Sequence, residues 1–328
     1  MSINELINTK NYSIKTDEPI PLTEKTDFFE TRKKIEVIKE SFQSNILKDY
    51  KIIALYGNWG SGKSSIIKTL MAELSENYTE EIINNYGNLI ELYSITKMLK
   101  MLKMHLKNTK VKKESFIAIK FDAWDYENEE NVAYALLNKI IEELEKYADI
   151  KFGIKAIKNE ILKSGAVVLK SVNVNTGFFN LNFECGSERY KEVENLKNGL
   201  NKISEILSKN NKRLIVFIDE LDRCERENIL KFLASLKLFF TSGDNINYIC
   251  AVDKEAVKEA LKHKYNDGEK AEEYLEKIFN FSFNMPKTFN VKKFIMQYRF
   301  FNNDKIAERL AKFFETINFT NPRHLRKF

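Results

Sequence analysis

Between residues 51 and 285 the chain alternates two hydrophobic patterns. The first is a short, nearly unbroken apolar run, seen in KIIALYG at 51–57, SFIAIKF at 115–121, RLIVFIDE at 213–220 and NYICAV at 247–252. Each run is rich in Ile, Val, Phe or Tyr and stops at a glycine or an acid, so each predicts a buried strand. The second pattern repeats apolar residues every three or four positions and predicts helices. Thr26 is placed to cap a helix beginning at Asp27, with Phe28, Ile35, Ile38 and Phe42 on its inner face. Further helices are predicted from the glycine-rich loop to about Glu76, over 79–107, after a turn within FDAWDYENEENVAYALLNKIIEELEKY (121–147), over 188–209, from about Glu227 to Phe240, and from Lys254 onward.

Strands alternating with helices predict an α/β fold with a mostly parallel sheet covered on both faces. After Met285-Pro286 only helical patterning remains, and Pro322, following Thr320 or Asn321, marks a helix start. Residues 149–187 have too weak a period to assign, and SVNVNTGFFNLNF within them suggests a hairpin or a loose insertion. The expected organisation is an N-terminal arm at 1–25, a core at 26–285 with insertions at about 79–113 and 149–187, and a C-terminal helical segment at 286–328. The last helix start lies so close to Phe328 that a truncated chain is expected.

Composition narrows the class. At 328 residues, 43% apolar and 30% charged, the chain can bury one large α/β core or a core with a smaller helical companion. Its four prolines (Pro19, Pro21, Pro286, Pro322) leave the long middle free of helix breakers. Cys185, Cys224 and Cys250 form no C-x-x-C pair, which argues for reduced thiols. Met1 opens a polar stretch unlike a leader, and no apolar run approaches the roughly 18 residues of a membrane span. A cytoplasmic protein is therefore expected.

The net charge of +6 is local: KMLKMLKMHLKNTKVKK (97–113) carries seven lysines and no acid, so the rest sums to about −1. That segment reads as a helix with a solvated face, a nucleic-acid backbone contact, or a membrane-surface or partner helix. No aromatics or arginines accompany Lys100, Lys103 and Lys107 in a way that supports reading of bases. His105, His263 and His324 are scattered and suggest neither zinc nor a triad.

The candidate chemistry begins at Gly57-Asn58-Trp59-Gly60-Ser61-Gly62-Lys63-Ser64, a full match to G-x-x-x-x-G-K-[ST] set between a strand and a helix. Glycines let successive backbone N–H groups turn toward one anion, and the helix start adds its positive end. The expected nucleotide contacts run from Gly57 through Ser65, with Lys63 on the β/γ phosphates and Ser64 on Mg²⁺. The partner is LIVFIDELDRC (214–224), an apolar strand that delivers Asp219 to the sheet's carboxyl edge as a Mg²⁺ ligand. Glu220, one residue on, is placed to polarise water, or else to cap the strand or pair with Arg223. Asp253, ending CAVD, is a γ-phosphate sensor or a helix cap. Arg323 and Arg326 stabilise the charge that develops in phosphoryl transfer, or are solvated surface groups.

Four segments carry a family resemblance: GNWGSGKSS at 57–65, FDAWDYENEE at 121–130, FIDELDRC at 217–224 and NPRHLRKF at 321–328, with AVDKEAV at 251–257 between the last two. With these the chain resembles the KAP family of P-loop NTPases over most of its length, and FDAW is the most distinctive piece. The resemblance implies a P-loop NTPase of the additional-strand, catalytic-glutamate type acting on Mg-ATP, with Arg323 or Arg326 sensing the nucleotide. Asn58 stands where the family more often has an acid and Asp122 where it has Asn; neither change removes a phosphate or metal ligand. Many relatives insert paired transmembrane helices, for which 79–113 and 149–187 are too polar here, so the chain resembles a soluble member. Bacterial soluble members are associated with phage exclusion and defence. The expectation is an ATP-driven switch, in a homo-oligomer where the arginine serves a neighbour, acting on an effector outside this chain. A DNA- or RNA-stimulated motor and a non-hydrolysing nucleotide-gated scaffold are the alternatives. Trp124 and Trp59, the two tryptophans, sit in site-proximal motifs, where Trp124 either packs its loop against the domain or stacks on the base.

Overall fold

The computed structural model describes residues 22, 27–75, 114–170, 172, 187–265, 268–286, 289–296 and 303–325. The expected helix at 79–107, the lysine segment and all but Val172 of the expected hairpin at 171–183 lie outside the described residues.

Five strands form one sheet: β1 (Ile52–Tyr56), β2 (Ser115–Asp122), β3 (Lys212–Asp219), β4 (Ile246–Val252) and β5 (Phe281–Asn284). Their order is β2-β3-β4-β1-β5, and every neighbouring pair is parallel. β4 therefore stands between the strand that precedes the glycine loop and the strand that ends in Asp219. This is the additional-strand arrangement the resemblance implies.

Alternation along the central strands sorts the core into two layers, because successive side chains point to opposite faces. Ile52, Ala54, Leu214, Val216, Ile218, Tyr248 and Cys250 pack in the larger layer, beneath α3 (Val132–Leu144), α4 (Lys151–Leu169), α5 (Ser187–Lys209), α6 (Arg226–Leu238), α7 (Lys254–Tyr265) and α8 (Gly268–Ile278). Ile53, Leu55, Ile215, Phe217, Ile249 and Ala251 face the other way, toward α1 (Arg32–Gln43) and α2 (Lys63–Leu74). Burial on both faces explains why these strands read as continuous apolar runs. A third cluster belongs to α9 (Val291–Met296), α10 (Asp304–Thr316) and α11 (Pro322–Leu325), built on Val291, Phe294, Ala307, Phe314 and Leu325.

Two local expectations are corrected, and one segment without an expected element is assigned. The first helix starts at Arg32, not Asp27. The Asp27 carboxylate accepts from the Thr31 and Arg32 N–H groups and the Thr31 hydroxyl, so it caps the helix from five residues ahead. Ile35, Ile38 and Phe42 are buried as expected, but Phe28 leaves that face and packs edge-on against Phe294, 5.3 Å between centroids. Residues 151–169, left unassigned from the sequence, form a helix whose Gly165 lies so close to α3 that a Cβ there would meet Leu137 at 2.4 Å. Finally, FSFN at 281–284 is the edge strand β5, paired with β1 from Ile53 to Tyr56.

Candidate functional site

The loop between β1 and α2 is shaped by its glycines. Gly60 and Gly62 hold φ of +80° and +90°, the left-handed region where a side chain is strained. Gly57 is needed for space: a Cβ there would lie 2.4 Å from Met285 Cγ and 2.5 Å from Ser61 Oγ. The Gly62 carbonyl accepts from Ser65 N and Ile66 N as α2 begins, so the helix's positive end points at the loop.

Lys63 is buried (8% exposed) and its Nζ donates to the Gly57 carbonyl at 2.7 Å. Its nearest counter-charge is Asp222 Oδ2 at 3.7 Å, a residue for which the sequence pattern alone predicts no role. The same Asp222 oxygen accepts from Asp253 N at 3.2 Å. Ser61 Oγ is buried without a hydrogen-bond partner. A buried hydroxyl usually finds one, so this donor fits a phosphate oxygen.

At the carboxyl end of β3, Asp219 is 3% exposed and aligned with Asp122 of β2. One oxygen accepts the Glu220 N–H at 3.0 Å, while Oδ2 is buried with no partner. Burial raises the Asp219 pKa above its usual value, opposed by the Ser64 hydroxyl and Lys120. A buried carboxylate oxygen without a partner, beside a serine hydroxyl, is the donor set of a hard divalent cation. Among the described residues no group of three or more His, Cys, Asp or Glu could hold a metal unaided.

Glu220 follows with φ of +59°, an unusual conformation for a residue with a Cβ. Its Oε1 lies 3.0 Å from Arg223 Nη1, so the pairing considered from the sequence is present. Burial raises its pKa while Arg223 pulls it down, and Asp219 and Asp122 push it up. Nearby, Lys120 Nζ lies 2.6 Å from Asp122 Oδ1. Trp124 is 48% exposed, with the Arg223 guanidinium 5.3 Å from its ring centroid. It is a surface residue of its loop, not part of the core.

Asp253 caps the helix that follows it, one of the two roles weighed for it, and also contacts the loop. Oδ1 accepts from Glu255 N and Ala256 N, capping α7, and Oδ2 accepts Trp59 N of the loop at 3.0 Å. The other end of the Trp59 residue is held as well, because its carbonyl accepts from Asn321 Nδ2 at 3.0 Å. His324 brings its ring to 6.1 Å from that of Trp59. The start of α11 thus rests on the loop, and α11 carries Arg323. The side chain of Arg323 and the whole of Arg326 lie outside the described residues. The structure therefore gathers Gly57 through Ser65, Asp219, Glu220 and Asp253 at one edge of the sheet. Asp222, Arg223 and Asn321 join them; they stood inside recognised motifs, but only folding brings Asp222 to Lys63 and Asn321 to Trp59.

Residues 32–328 match the family model described as the KAP family P-loop domain. The uncharacterized protein MJ0182 of Methanocaldococcus jannaschii is 38% identical over 174 residues, taking in 41% of this chain and 90% of that protein. The uncharacterized protein MJ0181 of the same organism is 68% identical over 53 residues, 16% of this chain and 22% of that one. Among solved structures, the Aeropyrum pernix ORC2 protein in its ADPNP-ADP complexes aligns with 87% of this chain and 54% of its own, at 14% identity and a TM-score of 0.38. PCH-2 of C. elegans aligns with 85% of this chain and 48% of its own, at 11% identity and a TM-score of 0.25. The chain spans about half the length of each of these two. Among the described residues no helix is long and apolar enough to cross a membrane.

Proposed function

The chain belongs to the KAP family of P-loop domains, and from that premise we propose that it is a Mg-dependent ATPase whose nucleotide state works as a conformational switch. The observation that carries the reading is the meeting, at one sheet edge, of a glycine loop with a buried lysine and a buried carboxylate oxygen that has no partner. Amides of Gly57 through Ser65 cradle the phosphates, and Lys63 exchanges its contact with the Gly57 carbonyl for phosphate oxygens. Ser64 and Asp219 are the residues that hold Mg²⁺, which when bound neutralises charge on the β- and γ-phosphates. Glu220 orients water and accepts its proton as the new oxygen–phosphorus bond forms and ADP leaves. Asp253 and Asn321 fix the Trp59 residue of the loop from two sides. Arg323 or Arg326 answers the γ-phosphate from the C-terminal helices, in the same subunit or in a neighbouring one of a homo-oligomer.

The switch acts on an effector outside this chain, and the finer assignment to defence against phage rests on the family resemblance alone. The test is steady-state phosphate release from Mg-ATP by the wild-type chain and by Glu220→Gln, with and without DNA. Turnover that collapses in Glu220→Gln while ATP still binds supports the reading. Binding without turnover in either protein argues for the nucleotide-gated scaffold, and turnover that requires DNA argues for the motor.

A further inference from the structure

Glu220 does not stand free at the sheet edge but is paired with a neighbouring arginine. The 3₁₀ turn Leu221–Arg223 folds back so that Arg223 Nη1 reaches Glu220 Oε1 at 3.0 Å. The guanidinium is itself seated, its carbon 5.3 Å from the ring centroid of Trp124. Trp124 stands on a second 3₁₀ turn, Ala123–Tyr126, at the end of β2. That turn is fixed from both sides. Phe121 stacks on Tyr126 at 4.7 Å and on Phe232 of α6 at 6.2 Å. Just beyond it, the Glu127 carboxylate accepts the Glu225 N–H, and the Glu127 carbonyl accepts Asn228 Nδ2 at 3.4 Å. Trp124 is thus a fixed platform, Arg223 rests on it, and Glu220 is held by Arg223.

We propose that Arg223, seated on Trp124, is a positioning residue that holds Glu220 in a resting pose, and that turnover requires this ion pair to open. The inference rests on the reading of Glu220 as the group that orients water. The guanidinium occupies Glu220 Oε1 and sets the direction of the carboxylate, so the carboxylate must turn away from Arg223 before it can orient water beside a phosphate. The opposing charges around Glu220 do not replace Arg223. Asp219 and Asp122 are of like sign, and Lys120 is engaged by Asp122. The pair is also easily opened. Its side chains are 31% and 25% exposed, so the ion pair and the cation–π seat together bias the resting pose by about three- to thirtyfold. That is within reach of a bound nucleotide or a partner.

The test uses the full chain, with turnover and fluorescence read on the same variants. At saturating Mg-ATP, Arg223→Gln is expected to raise kcat about three- to tenfold with KM within about twofold of wild type, because the Arg223 side chain pairs with Glu220 and Trp124. Trp124→Leu raises kcat less, Arg223→Lys falls between wild type and Arg223→Gln, and Arg223→Gln combined with Glu220→Gln is silent. A kcat that falls in Arg223→Gln overturns the proposal, since Arg223 would then assist the chemistry.

In a Trp59→Phe background Trp124 is the sole tryptophan. Its emission is expected to change in Arg223→Gln, and to move toward that value when a Mg-bound non-hydrolysable ATP analogue is added with Arg223 in place. Emission indifferent to Arg223→Gln overturns the seat, and emission indifferent to the analogue overturns its opening. If ATP binds but no variant turns it over, the water-orienting role of Glu220 has failed, and the fluorescence still decides separately whether the seat exists.

Discussion

Gly60 and Asn321 provide a sharp test of how the C-terminal helices meet the nucleotide loop. In Gly60→Ala the backbone must keep φ of +80°, which costs about 1–2 kcal/mol for a residue with a Cβ. The new Cβ also falls 2.8 Å from Asn321 Oδ1 and 2.9 Å from its Nδ2. Asn321 relieves that clash by rotating away, at the expense of its 3.0 Å hydrogen bond to the Trp59 carbonyl. Such a bond contributes about 0.5–1.5 kcal/mol, so Gly60→Ala should lose about 2–3 kcal/mol in all. Asn321→Ala alone should lose about 1 kcal/mol. In the Gly60→Ala background the bond is already gone, so adding Asn321→Ala should lose almost nothing further. The double-mutant cycle, read by urea unfolding, therefore predicts a coupling of about 1 kcal/mol. Equal losses from Asn321→Ala in both backgrounds would refute the contact and with it the docking of α11 on the loop.

The same geometry sets other outcomes. Asp219→Asn should raise the urea midpoint in EDTA at neutral pH. Burial lifts the carboxyl pKa above 3.8, so the folded chain holds the proton more tightly than the unfolded one, and stability drains away as pH rises from about 3.8 through the folded value. The same variant should lose the Mg²⁺ dependence of ATP binding, measured by titration calorimetry. Asp253→Asn retains one carbonyl oxygen for two duties, the cap of α7 and the Trp59 N–H. It should stay within about 1 kcal/mol of wild type in urea unfolding while ATP affinity falls. Glu272 is held by Lys254 and Lys258 at a pKa of about 2, below its ordinary 4.5. Its contribution is present above pH 4.5 and lost as pH falls toward 2, so the small loss of Tm in Glu272→Gln at pH 7 should vanish across that window.

How much of this was legible beforehand depended on how local each signal was. β1, β3 and β4 are buried on both faces and announced themselves as apolar runs. β5 did not, because FSFN lies at the sheet edge with its residues largely exposed and alternates too briefly to register. The helix at 151–169 hid for a different reason. Its buried positions include Ser164 and Gly165, small residues suited to close approach to α3, which blur the apolar period. Asp27 misled the helix start because its side chain caps across a turn instead of entering the helix. In the site, a motif compressed into eight residues, Gly57 to Ser64, could be read directly. The contacts of Asp222 with Lys63 and of Asn321 with Trp59 span 159 and 262 positions of sequence, and only the fold creates them. Arg223 stood in plain view beside Glu220, but its seat on Trp124 depends on β2 lying next to β3.

The central claim is that this nucleotide site performs hydrolysis, and a single-turnover experiment addresses it most directly. Enzyme in excess is mixed with γ-labelled ATP and Mg²⁺, and bound nucleotide and released phosphate are followed in the same samples for the wild-type chain, Lys63→Ala and Glu220→Gln. The account predicts conversion of bound ATP in the wild type, loss of binding in Lys63→Ala, and binding without conversion in Glu220→Gln. Conversion at the wild-type rate in Glu220→Gln would contradict it.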